Sequence, residues 1–154
     1  MLETAKDTMG PRVRQISFFL PNRVGALLQV ARKLEELNIH ICAISILDSA
    51  DHAVIRMVVD RPSLAKEAIM EKGLNVFETE LVAVELPIER GIGLPRILGA
   101  LLMAEVNIQY IYSLIVQTNS HPVVAFHVDA MDTATQVLKR QGLVLVGQDQ
   151  ISWG

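Results

Sequence analysis

Residues 20–27, LPNRVGAL, carry the polar groups of this chain that are best suited to bind a small molecule, and we call them the first elbow. Asn22 offers an amide that can accept from an ammonium group and donate to a carboxylate, and Arg23 can bind a carboxylate through two nitrogens. Gly25 permits a positive φ and lets a ligand approach the backbone closely. A site for a zwitterion requires groups of these kinds.

The first elbow lies between two apolar segments of different period. Residues 14–20 alternate apolar and polar side chains, which predicts a half-buried strand, and from Gly25 onward the apolar residues recur every three or four positions, which predicts a helix. Unpaired N–H groups at the start of such a helix favour a carboxylate. The same residues would also be expected if Asn22 only capped the helix and Gly25 only relieved the turn, and this alternative stays open. The predicted ligand-binding residues of the first elbow are Asn22, Arg23, Val24, Gly25 and Ala26.

Residues 86–94, LPIERGIGL, repeat this arrangement, and we call them the second elbow. Charged residues again precede glycine, and an apolar helical segment follows. The side chains differ from those of the first elbow, so the two elbows need not bind alike. The predicted ligand-binding residues of the second elbow are Glu89, Arg90, Gly91 and Gly93.

The similarity of the two elbows belongs to a longer internal repeat. A shift of 69 positions lays residues 52–74 over residues 121–143, and a shift of 67 lays residues 26–45 over residues 93–112. The difference between the two shifts fits a small insertion at the turn QTNS of the second copy. The chain therefore contains two related units of roughly 70 residues each. We assign residues 1–12 to a loose arm, residues 13–81 to the first unit and residues 82–154 to the second.

Each unit is predicted to fold as β-α-β-β-α-β. In the first unit, residues 39–47 and 53–59 are β-branched runs around a polar turn, which indicates a hairpin. A second helix is expected between Pro62 and Gly73. Residues 75–87 are long enough to hold the last strand of the first unit and the first strand of the second. We therefore predict an α+β fold of two ferredoxin-like βαββαβ units, each with an antiparallel sheet and both helices on one face.

Composition excludes several function classes. Of the 154 residues, 51% are hydrophobic and 20% are charged, which argues against a disordered chain. A net charge of −3 with scattered Lys and Arg argues against nucleic acid as a partner, and no apolar run approaches the roughly 20 residues that span a bilayer. The single Cys42, expected to be buried, permits no intrachain disulfide. We expect a soluble, cytoplasmic protein that binds neither nucleic acid nor membrane.

The titratable residues do not suggest a catalytic set. His52 and His121, which the 69-position shift aligns, are expected to be solvent-exposed turn residues without acidic partners at metal-ligand spacing. His40 and His127 lie in apolar strands, where a hydrogen-bonded structural imidazole is expected. The same fold class hosts RNA-recognition modules, copper chaperones and acylphosphatases, but their sequence requirements are not met. We therefore expect no enzyme activity, no metal site and no cofactor.

At both elbows and the helices that follow, the chain resembles the ACT domain family, small ligand-sensing modules of amino-acid metabolism. The segments NRVGALLQVARKLEELNIHI and GIGLPRILGALLMAEVNIQYIYS carry the resemblance, which covers residues 14–84 and 81–152. VNIQYIYS looks in particular like the freestanding tandem ACT proteins. Asn22 stands where the family often has aspartate, and Val24 where it often has proline. The resemblance implies side-by-side sheets and an amino acid bound in each elbow against a neighbouring ACT unit.

We interpret the chain as a non-catalytic, allosteric regulatory protein that binds a small amino acid. Backbone N–H groups of Gly25 and Ala26 would hold the carboxylate, and Asn22 would meet the ammonium group. Tyr110 and Tyr112 lie on one face of a strand, where they would either reach the ligand or pack at an interface. The helix at residues 94–104 is apolar nearly all round, which predicts an interface there, either between the two units or between chains. A homodimer is expected.

Two other functions stay open. The chain would serve equally well as a trans-acting regulatory subunit of an amino-acid biosynthetic enzyme, and recovery of one stoichiometric enzyme with the purified protein would favour that reading. It would alternatively be a small hydrolase on the same fold, which requires a turnover that is lost in Arg23→Ala.

Overall fold

The computed structural model describes residues 10–151, and within this range the chain forms seven strands and four helices. The strands are β1 (Val13–Pro21), β2 (Ile41–Asp48), β3 (His52–Val59), β4 (Val76–Glu85), β5 (Ile108–Thr118), β6 (His121–Val128) and β7 (Leu145–Val146). The helices are α1 (Ala26–Glu36), α2 (Pro62–Glu71), α3 (Leu94–Met103) and α4 (Met131–Arg140), and short 3₁₀ turns span Ile88–Arg90 and Gln148–Gln150.

The described residues divide into two compact units. The first unit comprises residues 14–79, and the second comprises residues 80–151 together with residues 10–13. In each unit a helix follows the first strand, a hairpin comes next, and a second helix precedes the last strand. The predicted α+β class with two βαββαβ units is therefore confirmed.

The sheet of the first unit follows from the two-residue period of its strands. β1 pairs antiparallel with β3, which pairs with β2, and β4 lies on the other side of β1. Ile16 and Phe18 occupy alternate positions of β1, so both point to the same face and are fully buried. Val30 and Leu34, four residues apart on α1, are buried in the same core cluster.

The second unit repeats this sheet in the order β5-β6-β4-β7. Val84 of β4 lies opposite Val124 of β6, as Phe18 of β1 lies opposite Ile55 of β3. β4 begins within the first unit and ends in the second, as its length in the sequence predicts. The core of the second unit includes Val82, Val84, Ile97, Leu101, Phe126 and Leu138.

The start of the chain differs in part from the expected loose arm. Residues 1–9 of that arm lie outside the described residues. The side chain of Arg12, in contrast, donates to Asp132 Oδ1 at 2.8 Å, and the backbone carbonyl of Arg12 accepts from the N–H of Gln148 at 2.9 Å. Residues 10–12 therefore contact the second unit rather than extend from it.

Candidate functional site

The first elbow turns directly from β1 into α1 at Gly25. This glycine has a φ of 83°, in the left-handed region that favours glycine, and α1 begins at the next residue, Ala26. No side chain caps the start of α1. The side-chain amide nitrogen of Asn22 instead donates to Asp48 Oδ1 at 3.4 Å, and the backbone N–H of Asn22 donates to the carbonyl of Asp51 at 3.1 Å. The alternative in which Asn22 caps the helix is therefore wrong, and Asn22 ties the elbow to the β2–β3 hairpin.

The first elbow presents its remaining polar groups to solvent. Asn22, Arg23 and Gly25 are all exposed. The N–H of Ala26, one of the two donors predicted to hold a carboxylate, already donates to the carbonyl of Arg23 at 3.3 Å. The N–H groups of Leu27 and Gly25 donate to no other residue in the described range.

The second elbow has the same glycine turn, preceded by a 3₁₀ turn. Gly91 has a φ of 74° and ends the turn at Ile88–Arg90, so it corresponds to Gly25 of the first elbow. Gly93 precedes α3 with a φ of −109°, an extended conformation that any residue adopts. The start of α3 is held by Arg96, whose guanidinium donates to the carbonyl of Gln141 at 3.2 Å, just after α4 ends.

A buried carboxylate, Glu85, lies at the end of β4 immediately before the second elbow. The residue is 3% exposed and terminates the buried run at the end of β4, residues 81–85, in which the other four residues are apolar. Its Oε1 accepts from Thr118 Oγ1 at 2.6 Å and from Asn119 Nδ2 at 2.8 Å. These donors come from the β5–β6 hairpin, which therefore satisfies one oxygen of the carboxylate.

A histidine joins Glu85 to the second elbow. His121 Nδ1 lies 3.3 Å from Glu85 Oε2, and His121 Nε2 lies 2.5 Å from Glu89 Oε1. The side chain of His121 is 19% exposed, and that of Glu89 is 58% exposed. We call this arrangement of Glu85, His121 and Glu89 the acid–imidazole bridge.

The sequence-based prediction for His121 is wrong. This residue is not a free turn residue, because two carboxylates flank its ring nitrogens. The sequence did carry one signal, a carboxylate at Glu85 within the apolar run LVAVELP, where burial requires partners. His40 is hydrogen-bonded to Asp60 Oδ2 at 3.0 Å, as expected for a structural imidazole. His127 differs, since its buried Nδ1 has no hydrogen-bond partner in the described range.

The bridge shifts the pKa of each of its three members. Burial would raise the pKa of Glu85, but hydrogen bonds from Thr118, Asn119 and His121 outweigh burial and lower it. The pKa of Glu89 is lowered, first by its own backbone N–H and then by His121. Hydrogen bonds to Glu85 and Glu89 raise the pKa of His121. The bridge therefore favours two carboxylates with one imidazolium.

A cavity of about 250 Å³ opens beside the bridge within the second unit. Three segments converge around it: the second elbow, the β5–β6 hairpin and the loop between α4 and β7. Polar and apolar groups both face it, so it suits a small molecule that has both kinds of surface. The lining residues are Glu85, Pro87, Arg90, Ile92, Asn119, His121, Gly142, Leu143 and Val144.

The two predicted tyrosines lie elsewhere in the second unit. Tyr110 stacks on His127 with ring centroids 5.2 Å apart, and its centroid lies 6.4 Å from that of Tyr112. Tyr110 pairs with His127, near the end of β6, whereas His121 begins that strand. Six residues of strand correspond to about 20 Å for Tyr110, and Tyr112, which pairs with Ala125, lies four residues or about 13 Å from His121 along the strand, so these tyrosines are not brought together with the second elbow.

In residues 10–151, no group of three or more His, Cys, Asp or Glu side chains could hold a metal ion. The helices in this range are each too short or too polar to cross a membrane.

Comparisons with known proteins give a consistent result. A family model described as an ACT domain pair matches residues 11–153. The crystal structure of protein BT0572 from Bacteroides thetaiotaomicron is 30% identical, with a TM-score of 0.82, and the match covers 92% of this chain and 96% of that one. No curated protein sequence matches the chain.

More distant structures share the fold. The regulatory subunit of aspartate kinase from Thermus thermophilus, in a ligand-free form, has 17% identity and a TM-score of 0.60, with 87% of this chain and 93% of that chain covered. The corresponding subunit from Thermus flavus has 16% identity and a TM-score of 0.55, with 85% and 93% covered.

The two glycines of the second elbow give a matched pair of substitutions. Gly91→Ala should lower the free energy of unfolding by about 1–2 kcal/mol, because alanine is strained at a positive φ. Gly93→Ser should change it by no more than about 0.5 kcal/mol, because its backbone is already extended and serine suits the start of a helix. Urea denaturation of both variants measures the difference. Equal effects would contradict the left-handed assignment of Gly91.

Glu85→Gln should lower the free energy of unfolding near pH 6 by about 1–3 kcal/mol, because an amide cannot accept from all the donors around this carboxylate. Because its pKa is lowered in the folded protein, Glu85 stabilises the fold at pH values above its ordinary pKa of 4.5. This stability is lost as the pH falls through the folded pKa. The urea midpoint of the wild-type protein should therefore fall between pH 6 and pH 3, and this fall should be smaller in Glu85→Gln. Glu80→Gln, an exposed position of β4, is the control and should retain it.

Proposed function

The chain belongs to the ACT domain family as a domain pair, and from this premise we propose that it is a non-catalytic regulatory protein that binds a small amino acid at its elbows. The single cysteine, Cys42, is a buried thiol, which is compatible with a reducing compartment such as the cytoplasm. The ligand contacts proposed in the two elbows are different.

The second elbow supplies the observation that carries the proposal. Its cavity is lined by Arg90, a cation that suits the carboxylate of an amino acid, and by the polar side chains of Asn119 and His121. Ile92 and Leu143 add apolar surface for a side chain. At about 250 Å³ the cavity lies below the roughly 300–1,000 Å³ of drug-sized sites, which favours a ligand as small as an amino acid.

The first elbow supports binding of a carboxylate at the start of α1. Arg23 is exposed next to the helix start, and the N–H groups of Gly25 and Leu27 are available there. The amide of Asn22, in contrast, donates to Asp48, so its oxygen is the atom that would accept from an ammonium group. Val24 and Ala26 complete this proposed site.

Regulation would follow from a difference in affinity between two conformations. A ligand shifts an equilibrium only by the ratio of its affinities for the two states. Each elbow joins the first strand of a unit to its first helix, so a ligand held there favours the conformation in which these two elements are correctly placed. Tyr110 and Tyr112 stay proposed ligand contacts only if the ligand site includes a second chain.

A second candidate function is control of an enzyme by protein contact. Two structures of aspartate kinase regulatory subunits share the fold along most of their length with this chain. Amino-acid binding at the elbows would serve this function as well.

The proposal includes a homodimer through α3. Ile97 and Leu101 of this helix are buried, whereas Leu102 and Met103 are 76% and 87% exposed. The repeat places Glu35 and Glu36 of α1 at the positions that correspond to Leu102 and Met103. The charged face of α1 is stable in contact with solvent, whereas the exposed apolar face of α3 favours burial against a partner.

Leu102→Asp should weaken self-association with little effect on the fold, because the side chain is exposed within one chain. Sedimentation velocity over a concentration series measures the effect. Leu28→Asp, at an exposed position of α1, is the control and should leave the assembly unchanged. An unchanged sedimentation coefficient in Leu102→Asp would contradict an α3 interface.

A thermal-shift screen against the common amino acids should identify the ligand. Saturation at about 100 times the dissociation constant stabilises the fold by roughly 2.7 kcal/mol. Arg90→Gln and Arg23→Gln should each weaken the response if their elbow binds the carboxylate, and Arg32→Gln, exposed on α1, should not. If no amino acid shifts the melting temperature, the amino-acid proposal fails and control by protein contact alone remains.

A further inference from the structure

The acid–imidazole bridge requires a particular protonation state of His121. A neutral imidazole has one N–H, so it can donate at one nitrogen only, whereas the imidazolium donates at both. Both nitrogens of His121 lie within hydrogen-bonding distance of a carboxylate, Glu85 on one side and Glu89 on the other. The complete bridge therefore exists only when His121 is protonated.

The bridge connects a fixed part of the second unit to its elbow. Glu85 ends β4 and is held by Thr118 and Asn119 of the β5–β6 hairpin. Glu89 lies in the 3₁₀ turn, whose other hydrogen bonds in the described range are local and stay within residues 86–91. The residues that flank the turn are anchored, since the N–H of Leu86 donates to the carbonyl of Pro122 at 2.8 Å and Ile92 packs against the core. Within the turn itself, the side chain of Glu89 makes the contact with the β5–β6 hairpin.

Deprotonation would open the bridge at Glu89 rather than at Glu85. The Glu85 side chain is 4% exposed and needs a protein donor for Oε2, whereas the Glu89 side chain is 58% exposed and can be solvated by water. A neutral His121 therefore keeps its proton on Nδ1, toward Glu85. The lone pair on Nε2 then faces the Glu89 carboxylate, and the tie to the elbow is lost.

The first unit serves as an internal comparison. His52 corresponds to His121 in the repeat, and the strand registers place Phe19 where the second unit has Glu85. Arg23 stands two residues after Pro21, as Glu89 stands two residues after Pro87. The histidine is therefore present in both units, but both carboxylates occur only in the second.

The groups that face His121 are few. Glu85 comes from β4, and Glu89 and the neighbouring Arg90 come from the 3₁₀ turn. The hairpin contributes Thr118 and Asn119, which do not titrate in this range. The loop from α4 to β7, which lines the same cavity, contributes Gly142, Leu143 and Val144, and none of these is titratable.

We propose that His121 is a positioning residue that holds the second elbow in place only while it is protonated, so that ligand affinity at this elbow falls as the pH rises. The change in ligand affinity rests on the proposed function, whereas the ordering of the elbow does not. Hydrogen bonds to Glu85 and Glu89 raise the pKa of His121 above its ordinary value of 6.5. The elbow is therefore ordered at pH 6 and loosens as the pH rises through the folded pKa.

Hydrogen exchange of the elbow amides tests the proposal without a ligand. The amides of residues 88–93 are followed from pH 5.5 to 8.5, with rates divided by their intrinsic values, while NMR follows the His121 imidazole. Above the folded pKa of His121, the corrected exchange rate should rise up to about tenfold per pH unit. His121→Gln and Glu89→Gln should each abolish this rise, and His52→Gln should preserve it.

Ligand binding supplies the second measurement. The amino acid that gives the largest thermal shift should bind wild-type protein more weakly at pH 8 than at pH 6, and His121→Gln should remove this difference. If the corrected exchange rate of residues 88–93 stayed constant while His121 titrates, the proposal would be overturned. It would also be overturned if this rate rose with pH in His121→Gln and Glu89→Gln as it does in the wild-type protein. Absence of any amino-acid response would instead refute the proposed function, and the exchange data would still decide the role of His121.

Discussion

The burial of the Glu85 carboxylate constrains the whole second elbow. A charge in an apolar strand is tolerated only if hydrogen-bond donors replace the lost water, and here the donors are Thr118, Asn119 and His121. These three residues lie on the β5–β6 hairpin, so the carboxylate fixes the hairpin against the end of β4. Because His121 has a second nitrogen, the same carboxylate also orients a group toward Glu89. The side chain of Glu89 in the elbow is therefore linked through His121 to one buried acid.

The repeat separates what the fold needs from what a site needs. Gly25 and Gly91 have nearly the same left-handed φ, 83° and 74°, because both units turn from a strand into a helix at this point. The side chains around the turns have diverged. The first elbow is tied to its hairpin through Asn22 and Asp48, and the second through Glu89 and His121. Backbone geometry is thus common to both units, while the charge and its dependence on pH are not.

The fold was predictable from the sequence because its signals are local. Alternation in β1, helical spacing in α1 and the repeat itself each depend on residues close in sequence or on a simple shift. The acid–imidazole bridge was not predictable in this way, since its members come together from positions 32–36 residues apart. Nothing local distinguishes His121 from His52. Only the strand register shows that one faces Glu85 while the other has Phe19 at the corresponding position.

The divergence of the two elbows has a direct consequence for ligand recognition. In the first elbow the charged residue at the turn is Arg23, which is exposed. In the second elbow the corresponding residue is Glu89, which His121 partly neutralises, and Arg90 next to it faces the cavity. The charge next to Glu89 at the second elbow therefore changes with one proton on His121, whereas the first elbow has no corresponding bridge of carboxylates and histidine among the described residues. A duplicated module that keeps its backbone in this way can offer the same ligand class two sites with different dependence on pH.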